Sequence, residues 1–140
     1  MIDMDRLRQD LTRHEGVENI VYKCTSGYAT IGVGHNLETK PLSQAAIAHI
    51  LTDDINDAVN DCQKAIIGFE GFPGSVQEAL VNMAFNLGIT GLLRFTNTLA
   101  YLEDHKWLAA ADEMLDSRWA DQVGNRAIEV SNMVRLCAEA

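Results

Sequence analysis

Three side chains near the N-terminus could together cleave a bond with water. Glu15 offers a carboxyl, Cys24 a thiol and Thr30 a hydroxyl. Eight residues separate the first two and five the last two. A carboxyl that stays protonated near neutral pH can act as a general acid and hand its proton to a leaving group. A thiol and a hydroxyl beside it could hold and activate a water molecule. Each residue also has an ordinary reading. Glu15 could be a solvated helix-end glutamate, Cys24 a small buried hydrophobe and Thr30 a plain strand residue.

The chemistry depends on elements that bring the three together. Residues 4–15 read as a helix, with Leu7 and Leu11 on one face. Asp3 or Asp5 can cap its start and Gly16 can stop it. Glu15 then falls on the last turn, among unpaired carbonyls at the negative end of the helix dipole. That setting disfavours a carboxylate and should raise the pKa. Residues 20–23 and 28–33 are β-type segments around Thr25-Ser26-Gly27, a hairpin with glycine in its turn. A tight hairpin can bring Cys24 and Thr30 together. Alternation sends Tyr28 and Thr30 to one side, Ala29 and Ile31 to the other.

Beyond the hairpin the pattern is helical. Ser43 fits an N-cap, and Ile47, Ile50, Leu51, Ile55, Ala58, Val59 and Cys62 follow the three-four spacing of one buried stripe to about residue 66. Three glycines and a proline break the chain over 68–74. Ser75 and Glu78 fit a capping box for the next helix. Leu80, Met83, Ala84 and Leu87 give that helix its buried face and Gly88 its stop. Shorter helices are expected near 89–94, 96–104, 107–116, 118–123 and 125–137. The fold class is therefore α+β and mostly helical.

Composition limits the function classes. With 11 basic and 20 acidic residues the net charge is −9, which argues against nucleic-acid binding. Cysteines 24, 62 and 137 are widely spaced, without a CxxC or Cys/His ligand set, so no structural zinc site is indicated. Cys62 and Cys137 read as two buried thiols, and the spacing leaves a bridge between them open. The first residues lack a basic segment followed by an apolar run, and no stretch nears the roughly 18 apolar residues of a membrane span. The expectation is a protein made in the cytoplasm, with no membrane insertion.

One run is specific enough to suggest a family. Arg13-His-Glu-Gly16, followed by Val21-Tyr-Lys-Cys-Thr-Ser-Gly-Tyr-Ala-Thr-Ile-Gly-Val-Gly-His35, resembles the signature of phage T4-type lysozymes, glycoside hydrolase family 24. The family pattern of Glu, eight residues, Asp or Cys, five residues, Thr is matched by Glu15, Cys24 and Thr30. Residues 81–91 and 95–99 are similar to the family's helical segments, as are 117–119 with 124–127. The resemblance spans roughly residues 5–130.

The resemblance implies a single lysozyme-like domain over 1–140. A small hairpin lobe would take residues 16–42 and a long linking helix 43–66. A helical lobe would take 67–140 together with the N-terminal helix. It implies an endolysin-type muramidase that hydrolyses the β-1,4 bond between N-acetylmuramic acid and N-acetylglucosamine, with inversion. No cofactor or metal is implied, the partner is the peptidoglycan glycan strand, and a monomer is expected. Release through a holin-type pore would take it to the wall. Carried over by position, Glu15 is the general acid and Arg126 the cation that pairs with it. That pairing would lower the Glu15 pKa and oppose the helix-end effect. Phe85 and Asn86 line the sugar cleft, with Arg126 and Gly34 also at substrate-binding positions, although Phe85 could equally be core packing. His35 and Asp54 form a structural pair. The competing readings are a silent glycan-binding domain and a phage-structural module of the same fold.

The chain departs from the family in three ways. Cys24 stands where many members carry aspartate. A free thiol titrates near 8.5 and aspartate near 3.9. Cys24 is therefore either a weak base or a group that only positions water with Thr30. The stretch from His35 to Asp54 is about twenty residues shorter than in the longest-studied members, so the small lobe should be reduced. The net charge is acidic where well-known lysozymes are basic, and a local basic cleft around Arg126, Arg118 and Lys23 could offset this.

Overall fold

The computed structural model describes residues 1–139. Helix α1 (Met4–Glu15) opens as its sequence suggests, with the Asp3 carboxylate accepting from the Arg6 N–H at 3.0 Å. It stops where Gly16 turns to φ 77° and bonds the Thr12 carbonyl at 2.9 Å. A three-stranded antiparallel sheet follows, β1 (Glu18–Lys23), β2 (Ala29–Gly32) and β3 (His35–Asn36), in that order. The first two form the expected hairpin, with Tyr22 opposite Thr30 and Lys23 opposite Ala29. The third strand is too short for alternation to reveal.

Helix α2 (Gln44–Ala65) begins at Ser43, whose Oγ accepts from the Ala46 N–H at 3.1 Å. Its apolar stripe is buried only at Ala58 and Cys62, while Ile47, Ile50, Leu51 and Ile55 are each at least 41% exposed. The reason is local. Only the last turns of α2 are covered by packed side chains, and Leu51, Ile55 and Val59 instead form one wall of an open groove. On α1, Leu7 and Leu11 are likewise exposed.

A 3-10 turn (Phe69–Gly71) leads to α3 (Gly74–Leu93). The capping box at its start does not form. Pro73 opens the helix instead, with its carbonyl accepting from Val76 and Gln77 at 3.0 Å, and no side chain caps it. The Pro73 side chain has no acceptor to offer, so the first N–H groups of α3 are left to its carbonyl and to solvent. Ser75 lies within the first turn, with its Oγ 3.1 Å from the Cys137 sulfur. The helical path breaks at Gly88 (φ 73°, ψ 158°), where the sequence placed the stop. Helices α4 (Thr96–Glu103), α5 (Trp107–Leu115), α6 (Arg118–Val123) and α7 (Asn125–Arg135) complete the set, with a closing 3-10 turn at Leu136–Glu139.

The chain divides into two compact units, Met1–His49 and the residues from Ile50 onward. In the second, Val76, Leu80 and Met83 of α3 form a core with Leu102, Met114, Val130 and Val134 of the later helices. Each fully buried side chain of this kind is stabilised by about 1.5–3 kcal/mol relative to exposure. In the first unit, Thr30 is the one buried side chain among the described residues. That unit is therefore held chiefly by backbone pairing and polar contacts.

Candidate active site

The first unit assembles three of the sequence-derived residues and the Gly34 turn. Glu15 is the last residue of α1, and Gly16 ends the helix directly behind it. The Glu15 carboxylate reaches the turn between β2 and β3 and lies against Gly34. Gly34 has φ 69° and no side chain, so the carboxylate meets bare backbone there. Glu15 itself is exposed.

The hairpin turn sets Cys24 beside Thr30. The Gly27 N–H bonds the Cys24 carbonyl at 2.8 Å and the Cys24 N–H bonds the Tyr28 carbonyl at 2.9 Å. Gly27 takes φ 86°, the left-handed residue that lets a tight turn rejoin a twisted ladder. The turn aims several donors at the Cys24 sulfur, and the thiol titrates below its ordinary value. The Tyr28 N–H is the largest influence and that of Ser26 the next. Partial burial opposes them, while the Thr30 hydroxyl and the Gly27 N–H add smaller pulls toward thiolate.

Thr30 is buried on the central strand, and its hydroxyl donates to the Tyr28 carbonyl at 2.8 Å. Its one proton serves that bond or the sulfur, never both at once. Behind it the loop after β3 is stitched to β2. The Leu37 N–H bonds the Ala29 carbonyl at 2.9 Å, and the Ala29 N–H bonds the Glu38 carboxylate. The Asn36 side chain accepts from the Glu38 and Thr39 N–H groups at 2.9 and 3.1 Å. His35 Nε2 donates to the Lys40 carbonyl at 3.1 Å, which fixes the proton on that nitrogen. These contacts tie the short loop to β2 and to itself ahead of α2. Asp54 is exposed on α2.

The second unit carries the other candidates, Phe85 and Asn86 on α3 and Arg126 on α7. Phe85 is 46% exposed and lines an open groove of about 550 Å³ with Leu51, Ile55, Val81 and Arg126. It is therefore not a core residue. Arg126, at the start of α7, donates Nε to the Asn82 side-chain oxygen at 3.0 Å and Nη2 to the Asn82 carbonyl at 3.2 Å. Glu70 and Glu78 line the same groove, while Arg118 lines a different one with Phe95 and Trp119. Arg126 and Arg118 thus do not combine into one basic cleft. Asn86 accepts from the Trp119 indole N–H at 2.8 Å.

Sequence reasoning missed Asn82 and Trp119. The spacing of 82, 85 and 86 along one helix face was the signal that could have shown Asn82. All three cysteines are free, so Cys62 and Cys137 are not bridged. Cys62 is fully buried, and Cys137 is half-buried and also near the Met133 carbonyl at 3.6 Å. Among the described residues no cluster of three or more His, Cys, Asp or Glu side chains could hold a metal ion.

The phage lysozyme family model matches residues 12–135, from the Glu15 turn to the end of α7. The chain belongs to the phage lysozyme family. It is 29% identical to the probable T4-type lysozyme 1 of Dictyostelium discoideum, covering 93% of this chain and 91% of that protein. The probable T4-type lysozyme 2 of the same organism is 28% identical, covering 89% and 90%. The pre-baseplate central spike protein Gp5 of Enterobacteria phage T4 is also 28% identical over 89% of this chain, which spans only 26% of that protein. The T4-type resemblance and the lysozyme-like α+β fold both hold, and the function is lysozyme-like. Family membership suggests a glycosidase, and the family implies a peptidoglycan substrate. Among its described residues no helix is long and apolar enough to cross a membrane.

Proposed function

We propose that this protein is a muramidase that hydrolyses the β-1,4 bond between N-acetylmuramic acid and N-acetylglucosamine. The observation that carries this is the junction of Glu15 with the hairpin. A carboxyl on the last turn of α1 lies at the Gly34 turn of the sheet whose hairpin sets the Cys24 thiol beside the Thr30 hydroxyl. Glu15 protonates the leaving oxygen. Thr30 and Cys24 hold the attacking water on the opposite face of the sugar, and the reaction inverts the anomeric centre. Phe85, Asn86 and Arg126 bind the glycan from the helical unit. The protein acts as a monomer, needs no cofactor, and reaches the wall from the cytoplasm through a holin-type pore.

The experiment is turbidity loss of permeabilised Gram-negative walls with wild type and Glu15→Gln. Lysis by wild type, with at least a ~100-fold loss in the variant, is the expected result. A second reading has one observation in its favour, the match to a phage spike protein far longer than this chain. On that reading the chain is a wall-binding structural module without turnover. Retention on walls with no lysis by wild type would support it and sink the first.

A further inference from the structure

The sheet ends on a side chain. β2 pairs with β3 through Thr30 opposite Asn36 and Ile31 opposite His35. One step further the register sets Ala29 against Leu37, and the Ala29 carbonyl does accept from the Leu37 N–H at 2.9 Å. The strand itself stops at Asn36, however, and the Ala29 N–H donates to the Glu38 carboxylate. A carboxylate thus takes the ladder position that a strand carbonyl would fill. Glu38 is aimed there by its own turn. The Asn36 side-chain oxygen accepts from the Glu38 and Thr39 N–H groups at 2.9 and 3.1 Å, and the Asn36 carbonyl accepts from the Lys40 N–H at 3.0 Å.

The peptide that Glu38 holds reaches the candidate site. The Ala29 N–H and the Tyr28 carbonyl belong to one trans peptide, so they point in opposite directions from one rigid plane. That carbonyl accepts twice, from the Cys24 N–H at 2.9 Å and from the Thr30 hydroxyl at 2.8 Å. A carbonyl can only accept, so the Thr30 proton lies in this bond and the Thr30 oxygen is left with lone pairs alone. A carboxylate at the N–H end polarises the amide and strengthens its oxygen as an acceptor. Glu38, the Tyr28–Ala29 peptide and the Thr30 hydroxyl therefore form one chain of hydrogen bonds with a fixed direction.

We infer that Glu38 is a positioning residue for the proposed hydrolysis, which by pinning the Tyr28–Ala29 peptide keeps Thr30 an acceptor toward the attacking water. A nucleophilic water needs a lone pair for the carbon it attacks and must give its hydrogens to acceptors. A hydroxyl that donated to that water would occupy the lone pair. With its proton held at Tyr28, Thr30 takes one hydrogen of the water and the Cys24 sulfur takes the other. Glu38 acts through the peptide and not on the glycan. This inference rests on the muramidase reading, in which Thr30 and Cys24 hold the water.

The test compares Glu38→Gln, which keeps an acceptor without the charge, with Glu38→Ala, which keeps neither. The first readout needs no turnover. It is the pH midpoint of iodoacetamide alkylation at Cys24, followed by mass spectrometry so that the other thiols do not interfere. Without an acceptor for the Ala29 N–H, the Thr30 proton is freed to serve the sulfur and favours the thiolate. The Glu38→Ala midpoint should lie about half a pH unit below that of Glu38→Gln, roughly a threefold gain in thiolate at fixed pH. In a Thr30→Val background, which has no hydroxyl to redirect, the two midpoints should coincide. The second readout is cleavage of peptidoglycan fragments. The kcat of Glu38→Ala should fall about tenfold with KM unchanged, while Glu38→Gln keeps most of the activity. A Glu38→Ala midpoint at or above that of Glu38→Gln overturns the inference, since it marks either no relay or a hairpin that has lost the donors to its thiol. A midpoint difference that persists in Thr30→Val, or an unchanged kcat in Glu38→Ala, overturns it as well. Absence of cleavage by wild type sinks the muramidase reading, and the alkylation midpoints still decide the relay on their own.

Discussion

The Glu15 carboxylate occupies the space into which any side chain at position 34 would project. Its Oε2 atom lies 3.0 Å from where a Cβ on Gly34 would stand, and its Cδ 3.4 Å away. Gly34 also has φ 69°, a conformation that costs an L-residue about 1–2 kcal/mol. One glycine thus serves both the turn between β2 and β3 and the seat of the proposed acid.

Gly34→Ala should therefore act twice. The positive φ should lower stability by about 1–2 kcal/mol. The added methyl should displace the carboxylate by a few tenths of an ångström. Misplacement of a reacting group is costly, and wall hydrolysis should fall roughly 10–100-fold in protein that is still folded. Thermal unfolding and initial lysis rates, measured together, check both parts. Unchanged lysis would show that the Gly34 contact does not position Glu15.

Cys24 is the member of the trio whose role is open, and its titration offers a handle. Donors from the turn hold the thiol below its ordinary value. The rate of alkylation by iodoacetamide should therefore rise with a midpoint below that of a free thiol. Should Cys24 act as the base, kcat/KM climbs over that same range. Cys24→Asp then moves the climb down to the carboxylate range, and Cys24→Ala loses most of the activity. Full turnover in Cys24→Ala would remove the sulfur from the mechanism and leave Thr30 to position the water.

Cys62 should behave oppositely. Burial pushes its thiol up to about 11, with the Asp61 carboxylate adding to the effect. The folded state thus holds this proton more tightly than the unfolded chain does. The resulting stability is complete below pH 9 and is lost as pH rises from about 9 toward 11. The Cys24 contribution has the other sign, present above its unfolded value and lost as pH falls through its lowered one. A thiol reagent at neutral pH should spare Cys62 until the protein unfolds. Cys62→Ser, which buries a hydroxyl without a built partner, should cost about 1–3 kcal/mol in chemical denaturation.

Charge should show in the salt dependence. At net −9 the protein meets an anionic wall with repulsion. The acidic lining of the groove by Glu70 and Glu78 does not relieve it. Lysis should rise with moderate ionic strength as the screening length shrinks toward about 8 Å. A monotonic fall with added salt would mean that local attraction outweighs the overall charge.

Much of the small unit was legible because its signals are local. A cap at Asp3, a glycine after Glu15, a glycine turn at 27 and a cap at Ser43 each act within a few residues. The third strand, the Pro73 start of α3 and the exposed stripe of α2 were not legible. A two-residue strand has no alternation to detect. A proline can open a helix without the cap that the sequence advertised. Periodicity reports which face of α2 is apolar, not how much of that face is covered.

The sequence by itself determined the element order, the spacing of Glu15, Cys24 and Thr30, and the family to which that spacing belongs. These depend on backbone preferences and on residue identity along the chain. Only the tertiary structure decided that Glu15 rests on Gly34, that Arg126 bonds Asn82, and that Trp119 bonds the Asn86 side chain. Those partners lie between 19 and 44 residues apart in the chain. Contacts at such separations are set by how helices and strands pack, which no local propensity encodes.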